Sequence, residues 1–344
     1  MNLSQSRFSN LADWLAWMEQ LHPRDIDLGR ERIRTVADRL ELLSPNATVI
    51  TVAGTNGKGS CIATMESLLL EQQCSVGAFT SPHVDRYNER IKINGFEVLD
   101  SDLCDAFSLI DKAREDISLT YFEFGTLAAM LLLKEHQVDY WLLEIGLGGR
   151  LDAVNIVDPN ISIITSIALD HQEWLGDDRE SIGREKAGIM RANMPCICVE
   201  SDRPKSLEGH AESLCVKRYF VGENISFQER SESRFDCSLI QGDSLSTSRI
   251  EKNATPLAMN LPRPNLPLPS VVAALQALIL CERLPDEETI AKVFSSLKLQ
   301  GRFQKKVLSE NVSLIMDVAH NPAATSMLAE RVSAEQCPGE IDVV

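Results

Sequence analysis

Val49-Ile-Thr-Val-Ala-Gly-Thr-Asn-Gly-Lys-Gly-Ser60 is the stretch on which the reading of this chain turns. Its β-branched opening, Val49 to Val52, has the pattern of a buried strand. Gly54, Gly57 and Gly59 break that strand into a loop, and the segment after Ser60 predicts a helix. A strand, a glycine loop and a helix N-terminus together form an anion cradle, because free backbone N–H groups and the helix dipole converge on one point. Within it, Gly54, Thr55, Asn56, Gly57, Lys58, Gly59 and Ser60 are the candidate phosphate-binding residues. Lys58 offers a point charge for a β- or γ-phosphate, and the Ser60 hydroxyl can ligate Mg²⁺. Gly59 separates that lysine from that serine, which a strict phosphate-loop pattern does not allow.

Composition bounds the rest. At 344 residues the chain has room for one large and one small domain. The balance of 44% hydrophobic and 24% charged residues is that of a globular protein with a core. A net charge of −16 argues against nucleic acid as a partner, since phosphates would be repelled over most of the surface. No apolar run reaches membrane-spanning length. Phe8, Leu11, Trp14, Leu15, Met18 and Leu21 recur at helical spacing where a signal peptide would stand. Nine scattered cysteines without a C-x-x-C pair suit reduced thiols and a cytoplasmic location. Cys196 and Cys198 lie in an apparent strand and are expected on opposite faces, which speaks against a metal site there.

Beyond the loop, strands and helices alternate. Strands are predicted at Ser75–Thr80, Asp139–Ile145, Ile161–Ile167 and Pro195–Val199, and helices at Leu103–Ile110, Gly125–Leu133 and Ser181–Arg191. Asn94-Gly95 signals a hairpin turn. The continuous apolar strands fit a sheet buried on both faces, so the expected fold is a doubly wound, mostly parallel α/β domain. Its ligands would bind at the carboxyl ends of the strands. Residues 202–260 give no clear elements. Helices are expected near 271–283 and 286–297, then a connection at Leu299–Gln304, a strand at Val312–Met316, a helix at 322–335 and a strand from Ile341. The expected domains are therefore 1–298 and 299–344. The second has fewer than half the ~100 residues an α/β domain needs to close a core, so a truncated C-terminal domain is expected.

Several candidates fall at predicted strand ends. Ser81, in Thr80-Ser-Pro-His83, offers a hydroxyl. Glu144 ends a buried apolar strand, where an unpaired carboxylate would cost several kcal/mol, so it should face a cation. Gly146-Leu-Gly-Gly-Arg150 lacks the third glycine of a dinucleotide fingerprint. Asp170-His171 and Arg184-Glu-Lys186 follow, and in the second domain Arg302, Asp317 and His320 stand in Gly301-Arg-Phe-Gln304 and Asp317-Val-Ala-His-Asn-Pro322.

Taken in their order, these motifs, with Glu144-Ile-Gly-Leu-Gly-Gly-Arg-Leu-Asp-Ala-Val-Asn155 and Arg184-Glu-Lys-Ala-Gly-Ile189, resemble the bacterial dihydrofolate synthase/folylpolyglutamate synthase family. That family lies within the ATP-dependent Mur ligase superfamily, and the resemblance runs from about Leu11 to the end. It implies an ATP-dependent amide ligase that activates a carboxylate of dihydropteroate or a folate as an acyl phosphate and joins L-glutamate to it. It implies two Mg²⁺ ions, one served by Ser60, Ser81 and Glu144 and one by Glu144, His171 and Lys186. A lysine ammonium cannot ligate a cation, so the resemblance calls for a carbamylated Lys186. Lys58, His171 and Lys186 would be the catalytic residues. Thr120, Phe122, Asp152 and Ala153 would bind the pterin, and Arg302, Asp317 and His320 would contact ATP. A monomer is expected. The rival readings are a cell-wall precursor ligase, a phosphate-loop kinase and a truncated module that binds ATP or folate without turnover. Only about 50 residues precede the phosphate loop, too few for the nucleotide-sugar domain of the first.

Overall fold

The run Val49–Val52 becomes the middle of strand β1 (Thr48–Ala53). Around it the computed structural model, which describes residues 6–231, 233–241, 255–309 and 312–334, builds an eight-stranded sheet. The other strands are β2 (Val76–Phe79), β3 (Ile91–Ile93), β4 (Phe96–Glu97), β5 (Tyr140–Glu144), β6 (Ile161–Ile164), β7 (Pro195–Cys198) and β8 (Lys217–Phe220). Their order is β4-β3-β2-β5-β1-β6-β7-β8. The six from β2 to β8 in that order run parallel, and β3 and β4 add an antiparallel edge. The chain places β5 on one side of β1 and β6 on the other, which makes the carboxyl end of β1 the switch point of the sheet.

Both faces are covered, and alternate side chains of each strand feed different cores. Val49, Trp141, Leu143 and Ile164 pack with the helices Leu11–Leu21, Asp100–Arg114 and Tyr121–Glu135. Ile50, Val52, Leu142 and Ile163 pack with the helices Lys58–Glu71 and Leu268–Leu280. This is why these strands read as unbroken apolar runs. Cys196 and Cys198 belong to the first core and Ile197 to the second, so the expectation of opposite faces for the two thiols is corrected. Residues two apart on a strand share a face. All eight described cysteines are free thiols.

Residues 202–260, opaque in sequence, contain the helix Lys205–Ser213, β8 and an antiparallel sheet of β9 (Ser226–Ser231), β10 (Arg234–Gln241) and β11 (Thr255–Pro262). That sheet is tied to the helix Leu268–Leu280 by Gln276, which accepts from the Ile240 N–H at 2.9 Å and donates to the Ile240 carbonyl at 3.0 Å. Asn94 and Gly95 turn between β3 and β4 at φ 51° and 82°, the paired positive values of a type I′ hairpin.

The second region contains the hairpin β12 (Gln304–Ser309) and β13 (Val312–Met316), then the helix Pro322–Ala334. The strand expected from Ile341 lies outside the described residues. Among those residues no helix is long and apolar enough to cross a membrane.

Candidate active site

The register of the sheet brings the predicted residues to one edge. Val52 pairs with Glu144 and Ala53 with Ile164, so the phosphate loop, the buried carboxylate and the segment after β6 leave the sheet side by side. Gly57 caps the helix Lys58–Glu71 at φ 87°, and a Cβ there would run into Ser270 Oγ. A Cβ on Gly54 would meet Thr165 Oγ1, so the loop is packed tightly against its neighbours on both sides.

β6 stops three residues earlier than Ile161–Ile167 predicts: the Thr165 N–H still bonds to the last carbonyl of β1, but the side chains of Thr165 and Ser166 turn to the loop. Thr165 Oγ1 donates to the Asn56 carbonyl at 2.7 Å, and Ser166 Oγ accepts from the Asn56 N–H at 2.9 Å. The Ala168 N–H donates to Thr55 Oγ1 at 3.0 Å. These contacts fix the loop before any ligand arrives, a preorganisation that sequence reading missed. A Thr-Ser pair directly after an apolar strand was the available signal.

The cleft at this edge is lined by Gly54, Thr55, Asn56, Gly57 and Lys58, by Ser81, Glu144, His171 and Lys186, and by Arg302 and His320. Lys58 Nζ donates to the carbonyls of Gly54 and Thr55 at 3.1 and 3.3 Å and lies 3.9 Å from Glu144 Oε1. Glu144 is buried, and the Ser81 N–H donates to its Oε2 at 3.2 Å. Burial raises the Glu144 carboxyl above its ordinary range, while Lys58 and more distant Arg302 pull it back. Lys186 is buried as well, and its ammonium is pushed down to about 7, first by burial and then by Lys58, against Asp170 and Asp152. His171 starts a short helix at φ 48°, in the left-handed region, with its side chain half exposed and 3.9 Å from Asp170 Oδ1.

The residues present suit a hard divalent cation. Ser60 Oγ is fully buried in the first helical turn with no hydrogen-bond partner among the described residues, a cost of about 1–3 kcal/mol unless something accepts from it or is ligated by it. Glu144 supplies a second buried oxygen donor. Among the described residues no three His, Cys, Asp or Glu side chains form a metal-holding group, so any cation here relies on hydroxyl and lysine-derived donors too.

The four residues proposed for the pterin do not line this cleft but sit behind its wall. Phe122 packs on Gly146 and lies 5.9 Å from the Phe79 ring. Asp152 accepts from the Leu147 and Val154 N–H groups, both at 2.8 Å, and burial pushes its carboxyl up to about 6. Thr120 Oγ1 accepts from the Glu123 N–H at 3.2 Å in a capping box. That cap starts the helix at Tyr121, four residues before the predicted Gly125. Ala153 is buried beside Asp152. Asp317 also turns inward: it accepts from Phe303 N–H at 2.8 Å and Ala319 N–H at 2.9 Å, and so holds the two loops that carry Arg302 and His320.

Asp170 and Asn321, present in the quoted motifs but given no role there, meet in this cleft region: Asn321 Nδ2 donates to Asp170 Oδ2 at 3.0 Å.

The Mur ligase middle domain family matches residues 52–252. The dihydrofolate synthase/folylpolyglutamate synthase of Escherichia coli K12 is 44% identical over 95% of this chain and 73% of its own length. The structure of E. coli FolC in complex with DHPP and ADP superposes with a TM-score of 0.87 at 42% identity, over 98% of this chain and 77% of that one. A bifunctional folylpolyglutamate synthase/dihydrofolate synthase with Mn, AMPPNP and L-glutamate bound gives 0.82 at 42% identity, over 96% and 76%. With that likeness carried along nearly all of its length, this chain belongs to the dihydrofolate synthase/folylpolyglutamate synthase family of Mur ligases.

Proposed function

We propose that this chain is an ATP-dependent amide ligase that joins L-glutamate to dihydropteroate and to the glutamate tail of folates. The observation that carries the reading is the convergence of Lys58, Glu144, Lys186, Arg302 and His320 on one cleft beneath the phosphate loop. The relatives bound to ADP with DHPP, and to AMPPNP with L-glutamate, support the same substrates. In the first step an oxygen of the substrate carboxylate attacks the γ-phosphorus, the bond to the β-phosphate oxygen breaks, and ADP leaves. In the second, the glutamate nitrogen attacks the acyl carbon, inorganic phosphate leaves, and the amine loses a proton.

Lys58 and the loop N–H groups from Gly54 to Ser60 take up charge on the transferring phosphoryl group. Arg302 and His320, held by Asp317, reach the nucleotide from the second domain. Ser60, Ser81 and Glu144 would hold one Mg²⁺, and Glu144, His171 and a carbamylated Lys186 a second. When bound, these ions supply positive charge against the phosphate oxygens. An amine whose pKa is pushed down from 10.5 to about 7 has about half its population neutral at pH 7, the state that carbon dioxide can carbamylate, which supports that reading of Lys186. Phe122, Thr120, Asp152 and Ala153 shape the pterin site, Asp152 and Thr120 by fixing the loop and helix that carry it. The domains are taken as 1–298 and 299–344, and the chain as a cytoplasmic monomer.

ADP release with dihydropteroate, L-glutamate and Mg²⁺ tests the substrate class, and release that ignores both dihydropteroate and folates would overturn it. Lys58→Ala should lower kcat about 10²–10³-fold, the usual effect of removing one such charge-stabilising contact. A second reading, an ATP- and folate-binding chain without turnover, draws on the apolar side chains left exposed in the second-domain hairpin. Mg·ATP binding without ADP release on addition of both substrates would favour it.

A further inference from the structure

Asn321 has a set of contacts that its position in a loop does not require. It is 5% exposed and precedes the helix Pro322–Ala334, whose Ala324 N–H donates to its Oδ1 at 3.0 Å. The same oxygen accepts from Asn56 Nδ2 in the phosphate loop at 3.1 Å. Its own Nδ2 donates to Asn56 Oδ1 at 3.1 Å and to Asp170 Oδ2 at 3.0 Å. Both donors and both acceptor positions of the amide are thus in use. The other oxygen of Asp170 accepts from the His171 N–H at 2.9 Å, so the amide reaches the His171 turn through one intermediate residue.

A helix cap alone would be served by Asp or Ser. Contact with Asp170 and Asn56 demands more, since a carboxylate at 321 has no donor and would face the charge of Asp170. Only a side chain that caps with its oxygen and donates with its nitrogen fits all three partners. Building on the ligase reading, we infer that Asn321 is a positioning residue: it locks the second-domain helix to the phosphate loop and to the Asp170-His171 turn, so that turnover depends on that docking. Arg302 and His320 then face the cleft only while the lock is closed.

The test uses three variants of the full chain. Asn321→Asp keeps the cap oxygen but removes the donor. Asp170→Asn removes the acceptor's charge. The double variant restores a donor–acceptor pair with the roles exchanged, Asn at 170 donating to Asp at 321. In Asn321→Asp, kcat for ADP release should fall about tenfold to a hundredfold, the factor corresponding to one charge-assisted hydrogen bond, with KM for dihydropteroate within about twofold. The double variant should recover to within about threefold of the wild type. Backbone amide exchange in the absence of ligands reads the lock directly. Residues 54–57 and 323–326 should exchange about tenfold faster in Asn321→Asp and regain protection in the double variant. Wild-type kcat in Asn321→Asp, or losses that simply add in the double variant, would overturn the inference. Because exchange needs no substrate, a chain that ligates nothing would sink the ligase reading while this arm still judged the lock.

Discussion

β1 (Thr48–Ala53) and β13 (Val312–Met316) are both apolar strands that end in a loop bearing candidate nucleotide contacts, yet they stand in opposite surroundings. From Val49 to Ala53 every residue of β1 is buried, because parallel strands flank it and helices cover both faces. In β13 only Ile315 is even half buried. Among the described residues its sheet has two strands, and Val307, Leu308, Val312 and Leu314 face outward. The two loops differ accordingly. The loop after β1 has a packed core beneath it in addition to the hydrogen bonds of Thr55, Thr165 and Ser166, whereas the loop after β13 rests on polar contacts from Asp317 and Asn321. The candidate nucleotide site is therefore assembled from one half backed by a hydrophobic core and one half that relies on hydrogen bonds.

The sharpest way to break this contrast is a cavity. Ile50 is 0% exposed in the core beneath the phosphate-loop helix. Ile50→Ala should destabilise the chain by about 2–5 kcal/mol, read as a lowered midpoint in urea at unchanged slope. A cost below about 1 kcal/mol would mean that β1 is not the anchor of the loop.

A smaller effect lies inside the site itself. Lys186 is pushed down to about 7 from an ordinary value of 10.5. Below pH 7 both folded and unfolded chains hold the proton, and the full cost of burying the charge is present. Between about 7 and 10 the unfolded chain still holds a proton that the folded chain has released. Through this group, stability therefore rises with pH across that window, by at most about 1.4 kcal/mol per unit. Urea midpoints of wild type and Lys186→Met at pH 7, 8 and 9, in buffer free of carbon dioxide, isolate the contribution. Parallel pH profiles for the two proteins would show that Lys186 is solvated, and the cleft wetter than its packing implies.

The contrast also explains what could be read in advance. β1 and its loop were legible because a β-branched run, three glycines and a lysine each constrain the same few residues. The family series then placed Glu144, His171, Lys186, Arg302 and His320 together, and all five line one cleft, to which the sheet register brings Glu144. What sequence could not separate was a side chain that faces a ligand from one that holds its own loop. Asp152, Asp317 and Thr120 carry the expected chemistry but spend it on backbone N–H groups. β10 was missed although Phe235, Cys237 and Leu239 alternate with Asp236 and Ser238 at strand spacing. Its neighbour β11 repeats that alternation in Leu257, Met259 and Leu261, whereas β9 is almost wholly exposed and offered no pattern.

The smallest expected effect tests the other side of the comparison. Leu314 is 40% exposed and stands across from Lys306 in the hairpin. If the hairpin is as open as its exposed side chains indicate, Leu314→Ala removes little buried area and should shift stability by less than about 0.5 kcal/mol. The same substitution should reduce binding of a hydrophobic dye, because the exposed apolar side chains of β12 and β13 are the surface such a dye would find. A loss of 2 kcal/mol or more would be the cost of a core position. It would mean that β13 is covered in solution as β1 is, and that hydrophobic packing, and not the Asn321 and Asp317 contacts alone, sets the second half of the site.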